Sequence, residues 1–145
     1  MTTVAIWHQH PSLAQLNSSK NTLVEHLGIE FIEVGDDFIK ARMPVDHRTV
    51  QPMGLLHGGA SVALAETLGS SGAYLCVDPA KYVVVGLEIN ANHVRAVRDG
   101  WVTGTARPLH RGKTTQLWEI RITDAADKLV CISRLTMAVL DKPAR

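Results

Sequence analysis

Hydrophobic patterning divides the chain into three regions. Residues 12–27 (SLAQLNSSKNTLVEHL) predict one or two short helices broken at Asn17-Ser18-Ser19. Leu23, Val24 and Leu27 give them a small apolar face, and Gly28 stands where a C-cap would. Ile29–Val34 and Phe38–Met43 flank Gly35-Asp36-Asp37 and predict a hairpin. In its second arm Ile39, Ala41 and Met43 point one way and Lys40 and Arg42 the other. Pro44 ends the arm, and VDHRTVQP (45–52) is a loop.

The second region is one long helix. Of the 29 residues between Arg48 and Asp78, only Glu66 is charged. From Gly59 onward the run has no Pro and is long enough for four or five turns. On a 3.6-residue period Gly59, Val62, Ala63, Glu66, Gly69, Ser70 and Ala73 form one stripe, while Leu64, Leu68 and Leu75 lie opposite. A helix apolar on both faces is expected to be buried, and the small residues on the Glu66 stripe predict a close neighbour.

After a turn at Asp78-Pro79 the remainder alternates as strands. Val83, Val85, Leu87, Ile89 and Ala91 alternate with Val84, Gly86, Glu88 and Asn90 in a long strand ending near His93. Turns at Asp99-Gly100, 110–113 (HRGK) and Asp124–Asp127 separate it from three more. In these, Val102, Gly104 and Ala106, then Trp118, Ile120 and Ile122, then Leu129–Leu140 carry the apolar positions. Four strands joined by short turns predict an antiparallel meander. The fold class is therefore α+β, with a curved antiparallel sheet wrapped round the helix and a second subunit covering the rest.

Composition narrows the function without naming it. A chain of 145 residues, 46% hydrophobic and 20% charged, is expected to be one globular domain, 1–145. A net charge of +1 offers no field for nucleic acid or an anionic membrane. Cys76 and Cys131 are too far apart for a CxxC pair, so neither zinc nor a disulfide framework is expected, and no other metal or cofactor is implied. No secretory leader or membrane span is read, which makes the cytoplasm the expected compartment. His8 and His10, and His47 in its loop, receive no role.

The chemistry concentrates on the helix. A lone carboxylate in apolar surroundings is either a paired core residue or a working one. Two neighbours favour work. Ser70 lies at i+4 from Glu66, and His57-Gly58-Gly59 places free backbone N–H groups at the positive end of the helix dipole. Donors for a developing oxyanion and a carboxylate in one element suit acyl transfer. Elsewhere His110, Arg111 and Lys113 crowd a turn, with Arg95 and Arg98 apart. That cluster suits anionic phosphates or a solvated basic surface equally.

The segments MPVDHRTVQP, QPMGLLHGGASVALAETLGS, VVGLEINANHVR and PLHRGKTTQLWEI, in that order and spacing, resemble the hotdog-fold acyl-CoA thioesterases from about Trp7 to Leu140. The likeness is to the branch acting on 1,4-dihydroxy-2-naphthoyl-CoA and other aryl-CoA thioesters, near the 4-hydroxybenzoyl-CoA thioesterase type. It implies that Gln51 bonds the thioester carbonyl region and that the Gly58 N–H polarises the carbonyl. Glu66 would act as nucleophile or general base. Ser70 would hold the water or intermediate, and His57 would lie beside the thioester. Coenzyme A would lie against Gly86, His93, Val94, Arg95 and Ala96 and against His110, Arg111, Gly112, Lys113, Thr114 and Thr115. Met53 and Ser71, which depart from the residues common in that branch, would border the acyl pocket.

Gly58 and Glu66 are eight residues apart, roughly 12 Å along a helix, so one carbonyl cannot touch both from a single chain. The expected assembly is a homodimer with sites between subunits, which the resemblance extends to a dimer of dimers. An acyl or aryl carrier protein could replace coenzyme A, in a proofreading role. A non-catalytic acyl-CoA-binding protein is the alternative from another class.

Overall fold

The computed structural model describes residues 4–144. Two short helices, α1 (Leu13–Leu16) and α2 (Leu23–His26), precede a hairpin of β1 (Glu30–Val34) and β2 (Ile39–Pro44). The long helix α3 (Gly58–Cys76) is followed by β3 (Tyr82–His93), β4 (Trp101–Arg111), β5 (Thr115–Thr123) and β6 (Leu129–Asp141). Side-chain caps start both short helices: Ser12 closes a capping box with Gln15, and the Thr22 hydroxyl accepts from the Glu25 N–H. Gly28, at φ 71°, ends α2 in the left-handed conformation.

All six strands join one antiparallel sheet in the order β1-β2-β4-β5-β6-β3. Helix α3 packs against β2, β3, β4, β5 and β6. Ile39, Ala41, Met43, Val102, Ala106, Trp118, Ile120 and Ile122, expected on the core face, are all fully buried beneath it. Each large side chain so enclosed contributes about 1.5–3 kcal/mol. Leu64 and Leu68 complete the layer from the helix. Contact is close enough that a Cβ on Gly72 would meet the Trp118 ring at 2.7 Å, and one on Gly69 would meet Leu135 at 2.6 Å. Gly69 and Ala73 thus belong to the chain's own core, although the sequence places them on the Glu66 stripe.

Two expectations about β3 are corrected. The predicted four-strand meander holds only for β4-β5-β6; β3 crosses to the far edge and pairs with β6. The seven residues 94–100 are too long for a tight hairpin. They pass the start of α3 instead, where Val97 accepts from the Leu56 N–H at 2.8 Å. The strict alternation predicted for β3 also fails, because a bulge between Gly86 and Glu88 leaves Leu87 unpaired. Val84 and Gly86 pair with the buried Val139 and Met137, and after the bulge Ile89 pairs with the buried Leu135. One extra residue has changed the phase of the strand and turned Gly86 toward the helix.

Candidate active site

The start of α3 offers donors without acceptors. His57 is the N-cap, and its Nδ1 accepts the Gly59 N–H at 2.8 Å. Since that backbone nitrogen can only donate, the neutral imidazole carries its proton on Nε2. The His57 carbonyl accepts from Ala60 and Ser61. The Gly58 N–H has no acceptor among the described residues. Gln51 uses its side-chain oxygen to accept the Met53 N–H, which leaves its amide donors uncommitted. Gln51, Gly58, His93, Val94, Arg95 and Ala96 come together around a groove of about 470 Å³. His93 lies against Gly58, so close that a Cβ there would be 2.9 Å from its Nε2.

Glu66 lies outside that groove. The burial expected of it is not supplied by its own chain, in which it is exposed, and among the described residues it has neither an ion pair nor a hydrogen bond. The sheet covers one face of α3, and Val62, Ala63, Thr67 and Ser70 on the other are only half-buried. The bulge of β3 brings Gly86 over the carboxylate, where an added Cβ would meet Glu66 Oε1 at 3.1 Å. Ser70 does not bond Glu66; its hydroxyl contacts the Met137 sulfur at 3.9 Å, which leaves most of its bonding capacity free. Ser70, Ser71, Gly86 and Met137 line a groove of about 740 Å³, and Gly86 is the lining residue that lies against Glu66.

The predicted residues therefore fall into separate groups within one chain. Gly86 is apart from His93–Ala96, and Ser71 lines the larger groove while Met53 lies 77% exposed on the loop beside Gln51. His110 and Arg111 are the last residues of β4, and the turn proper starts at Gly112, whose N–H reaches the Thr115 carbonyl at 2.8 Å. Arg111 sits beside Cys76 at the C-terminal end of α3 and contacts the Ile6 carbonyl at 3.5 Å. His93 is at the opposite end of this 19-residue helix, roughly 28 Å away at about 1.5 Å per residue. Antiparallel β3 and β4 end at opposite poles, so His110–Thr115 and His93–Ala96 meet one small molecule only if different chains supply them. Burial pushes the Cys76 thiol up to about 11, against the opposing pull of Arg111.

One set of lining residues escaped the sequence reading. Gln9, His10 and Pro11 line the larger groove together with Ser71 and Tyr74. The local pattern around His10 is polar and irregular; only the burial of Trp7 reveals that this segment is fastened down.

Residues 53–131 match the Thioesterase superfamily. The chain is 55% identical over 136 residues to the proofreading thioesterase EntH of Cronobacter turicensis, covering 93% of this chain and 98% of that protein. It is 52% identical over 136 residues to the 1,4-dihydroxy-2-naphthoyl-CoA hydrolase of Escherichia coli, covering 93% and 99%. The crystal structure of a mutant thioesterase from Pseudomonas aeruginosa superposes with a TM-score of 0.94 at 54% identity, over 95% of this chain and all of that one. With one long helix against a six-stranded antiparallel sheet and an unpaired carboxylate on that helix, the chain belongs to the thioesterase superfamily: it is a thioester hydrolase with the hotdog fold.

Proposed function

We propose that the chain hydrolyses an aromatic acyl-CoA thioester, of the 1,4-dihydroxy-2-naphthoyl or benzoyl type, at sites formed between two protomers. One observation carries this reading. The uncommitted Gly58 N–H belongs to one groove and the unpaired Glu66 lies against Gly86 at the edge of another, although both suit the same reaction. A two-fold partner would set each against its counterpart. The free edge of β3, with Val85 43% and Leu87 62% exposed, supports that pairing, since such an edge invites another strand. The same reading takes the assembly to be a cytoplasmic dimer of dimers.

In this reaction the Gly58 N–H, the Gln51 amide and the His57 Nε2–H receive the negative charge that grows on the carbonyl oxygen. Such donors are worth about 10²–10³ in rate each. Glu66 either deprotonates water, which adds to the carbonyl carbon, or adds itself and gives an anhydride that water then cleaves. In both routes the C–S bond breaks, a C–O bond from water forms, and the thiolate takes up a proton. Ser70 would hold the water. His93–Ala96 of one chain and His110–Thr115 of another would hold the coenzyme.

The test is release of free thiol from a panel of aryl- and alkyl-CoA thioesters. Glu66→Gln should fold and lose most turnover, and Glu66→Asp should recover little because the carboxylate retreats. Near-wild-type activity in Glu66→Ala would remove the assignment. A second reading, removal of misloaded aryl groups from a carrier protein, is favoured by the name of the Cronobacter relative. Comparing kcat/KM on a carrier-protein thioester and the matching CoA thioester separates the two.

A further inference from the structure

The N-terminal segment forms a strap with two fixed ends. At one end Trp7 is buried, stacks on Trp118 with ring centroids 6.2 Å apart, and donates its indole N–H to the Gly35 carbonyl at 2.7 Å. The next residue, His8, donates its backbone N–H to the Leu75 carbonyl at 2.8 Å. At the other end Asn17 donates to the Phe31 carbonyl at 2.9 Å and accepts the Phe31 N–H at 2.8 Å. Gln9, His10 and Pro11 are suspended between these anchors, above the 740 Å³ groove.

The groove combines apolar walls with polar side chains, as a site for a hydroxylated ring requires. Leu16, Leu75, Val84 and Met137 give it apolar walls. His10 and Tyr74 line it as well: Tyr74 is eight residues beyond Glu66 on α3, His10 is two residues from the His8 N–H that bonds the Leu75 carbonyl, and neither makes a side-chain hydrogen bond among the described residues. Tyr74 follows Glu66 by eight residues, roughly 12 Å along the axis, and helical side chains lean toward the N-terminus, which brings the phenol back over the Ser70 turn. A ring whose thioester carbonyl sits at Glu66 lies along Ser70 and Ser71 and meets this pair with its distal edge.

We propose that His10, held in place by the strap, acts with Tyr74 to bind a hydroxyl on the distal edge of the aryl group, so that this pair sets substrate preference. The inference rests on the aryl-CoA reading above. A groove built to bond a hydroxyl rejects the analogue that lacks one, because its polar groups are then left unpaired.

The experiment compares 4-hydroxybenzoyl-CoA with benzoyl-CoA in the wild type, His10→Ala, His10→Gln and Tyr74→Phe. The wild type should favour the hydroxylated thioester. The ratio of the two kcat/KM values should fall about tenfold in His10→Ala and Tyr74→Phe, and recover in part in His10→Gln. His10 and Tyr74 are both exposed, so thermal melting should stay close to that of the wild type. If both thioesters slow equally, or the ratio does not move, this inference alone is overturned. A wild type that cleaves neither of these nor 1,4-dihydroxy-2-naphthoyl-CoA overturns the aryl-CoA reading and this inference with it.

Discussion

His93 occupies the space that a side chain at Gly58 would need: a Cβ built on Gly58 falls 2.9 Å from the imidazole Nε2. The first residue of α3 and the last of β3 are therefore fitted to each other at the mouth of the smaller groove. Gly58→Ala keeps the backbone N–H but displaces the imidazole and places a methyl group where the thioester carbonyl would approach. A shift of about 1 Å at a reacting centre costs up to about 10²-fold. We expect kcat/KM to fall about 10–100-fold with the melting temperature nearly unchanged, since His93 is exposed and can move. Wild-type kinetics in this variant would show that nothing reacts beside Gly58.

Gly86 stands in the same relation to Glu66. An alanine there would put its methyl group 3.1 Å from Oε1, tighter than ordinary van der Waals contact, so the carboxylate must shift by a few tenths of an ångström. Gly86→Ala should lower kcat more than it raises KM, because the group displaced acts on the bond being broken and does not grip the coenzyme. Steady-state kinetics on one aryl-CoA thioester decides it; a change confined to KM would place Gly86 in coenzyme binding.

Most of the fold was legible because side-chain period reports burial directly. Ile39, Ala41 and Met43 in one strand and Trp118, Ile120 and Ile122 in another are all fully buried, as their alternation predicts. The failures arise where period carries no information. A bulge moves Gly86 to the opposite face without changing the composition of β3. Which strand β3 pairs with depends on the path of residues 94–100 around the helix, and no residue in that path specifies it. Glu66 was legible as the one charge of an apolar stretch, yet its exposure was not, because an apolar helix face does not say whose surface will cover it. His10 was missed because its neighbours have no period at all.

The loop before Gln51 is fastened by a carboxylate. Asp46 accepts from the Arg48 guanidinium at 2.7 Å and from the Arg48 backbone N–H at 3.0 Å, and these bonds hold its carboxyl down at about 2 against an ordinary 3.8. Because the folded value is the lower one, this contribution to stability is fully present above about pH 4 and is lost as the pH falls through about 2. Asp46→Asn should have a lower urea midpoint than wild type from neutral pH down to about pH 4, with the gap narrowing below that. A gap independent of pH would mean that the charge plays no part.

Cys76 should be a slow nucleophile. With its thiol pushed up to about 11 by burial, it is about 0.1% thiolate at pH 8. Alkylation by iodoacetamide, followed by mass spectrometry, should be far slower at Cys76 than at a free thiol and should accelerate steeply toward pH 11. Arg111→Met removes the one neighbour that pulls the thiol down, so it should slow the reaction further. Rapid labelling at pH 8 would mean that the helix end is open to solvent.

The division of the site between chains can be tested without a second structure. Glu66→Gln and Gly58→Ala each disable a different half. In a heterodimer of the two, one interface would pair the intact Glu66 with the intact Gly58, and the other would hold both substitutions. Heterodimers isolated through two different affinity tags should therefore regain about half of wild-type turnover, although each parent homodimer has little. If Glu66 and Gly58 served the same thioester within one chain, every site in the heterodimer would carry one defect, and its activity would remain at the level of the parents. The helix makes the first outcome the expected one, because eight residues hold the two groups roughly 12 Å apart and no rotation of a side chain brings a backbone N–H closer.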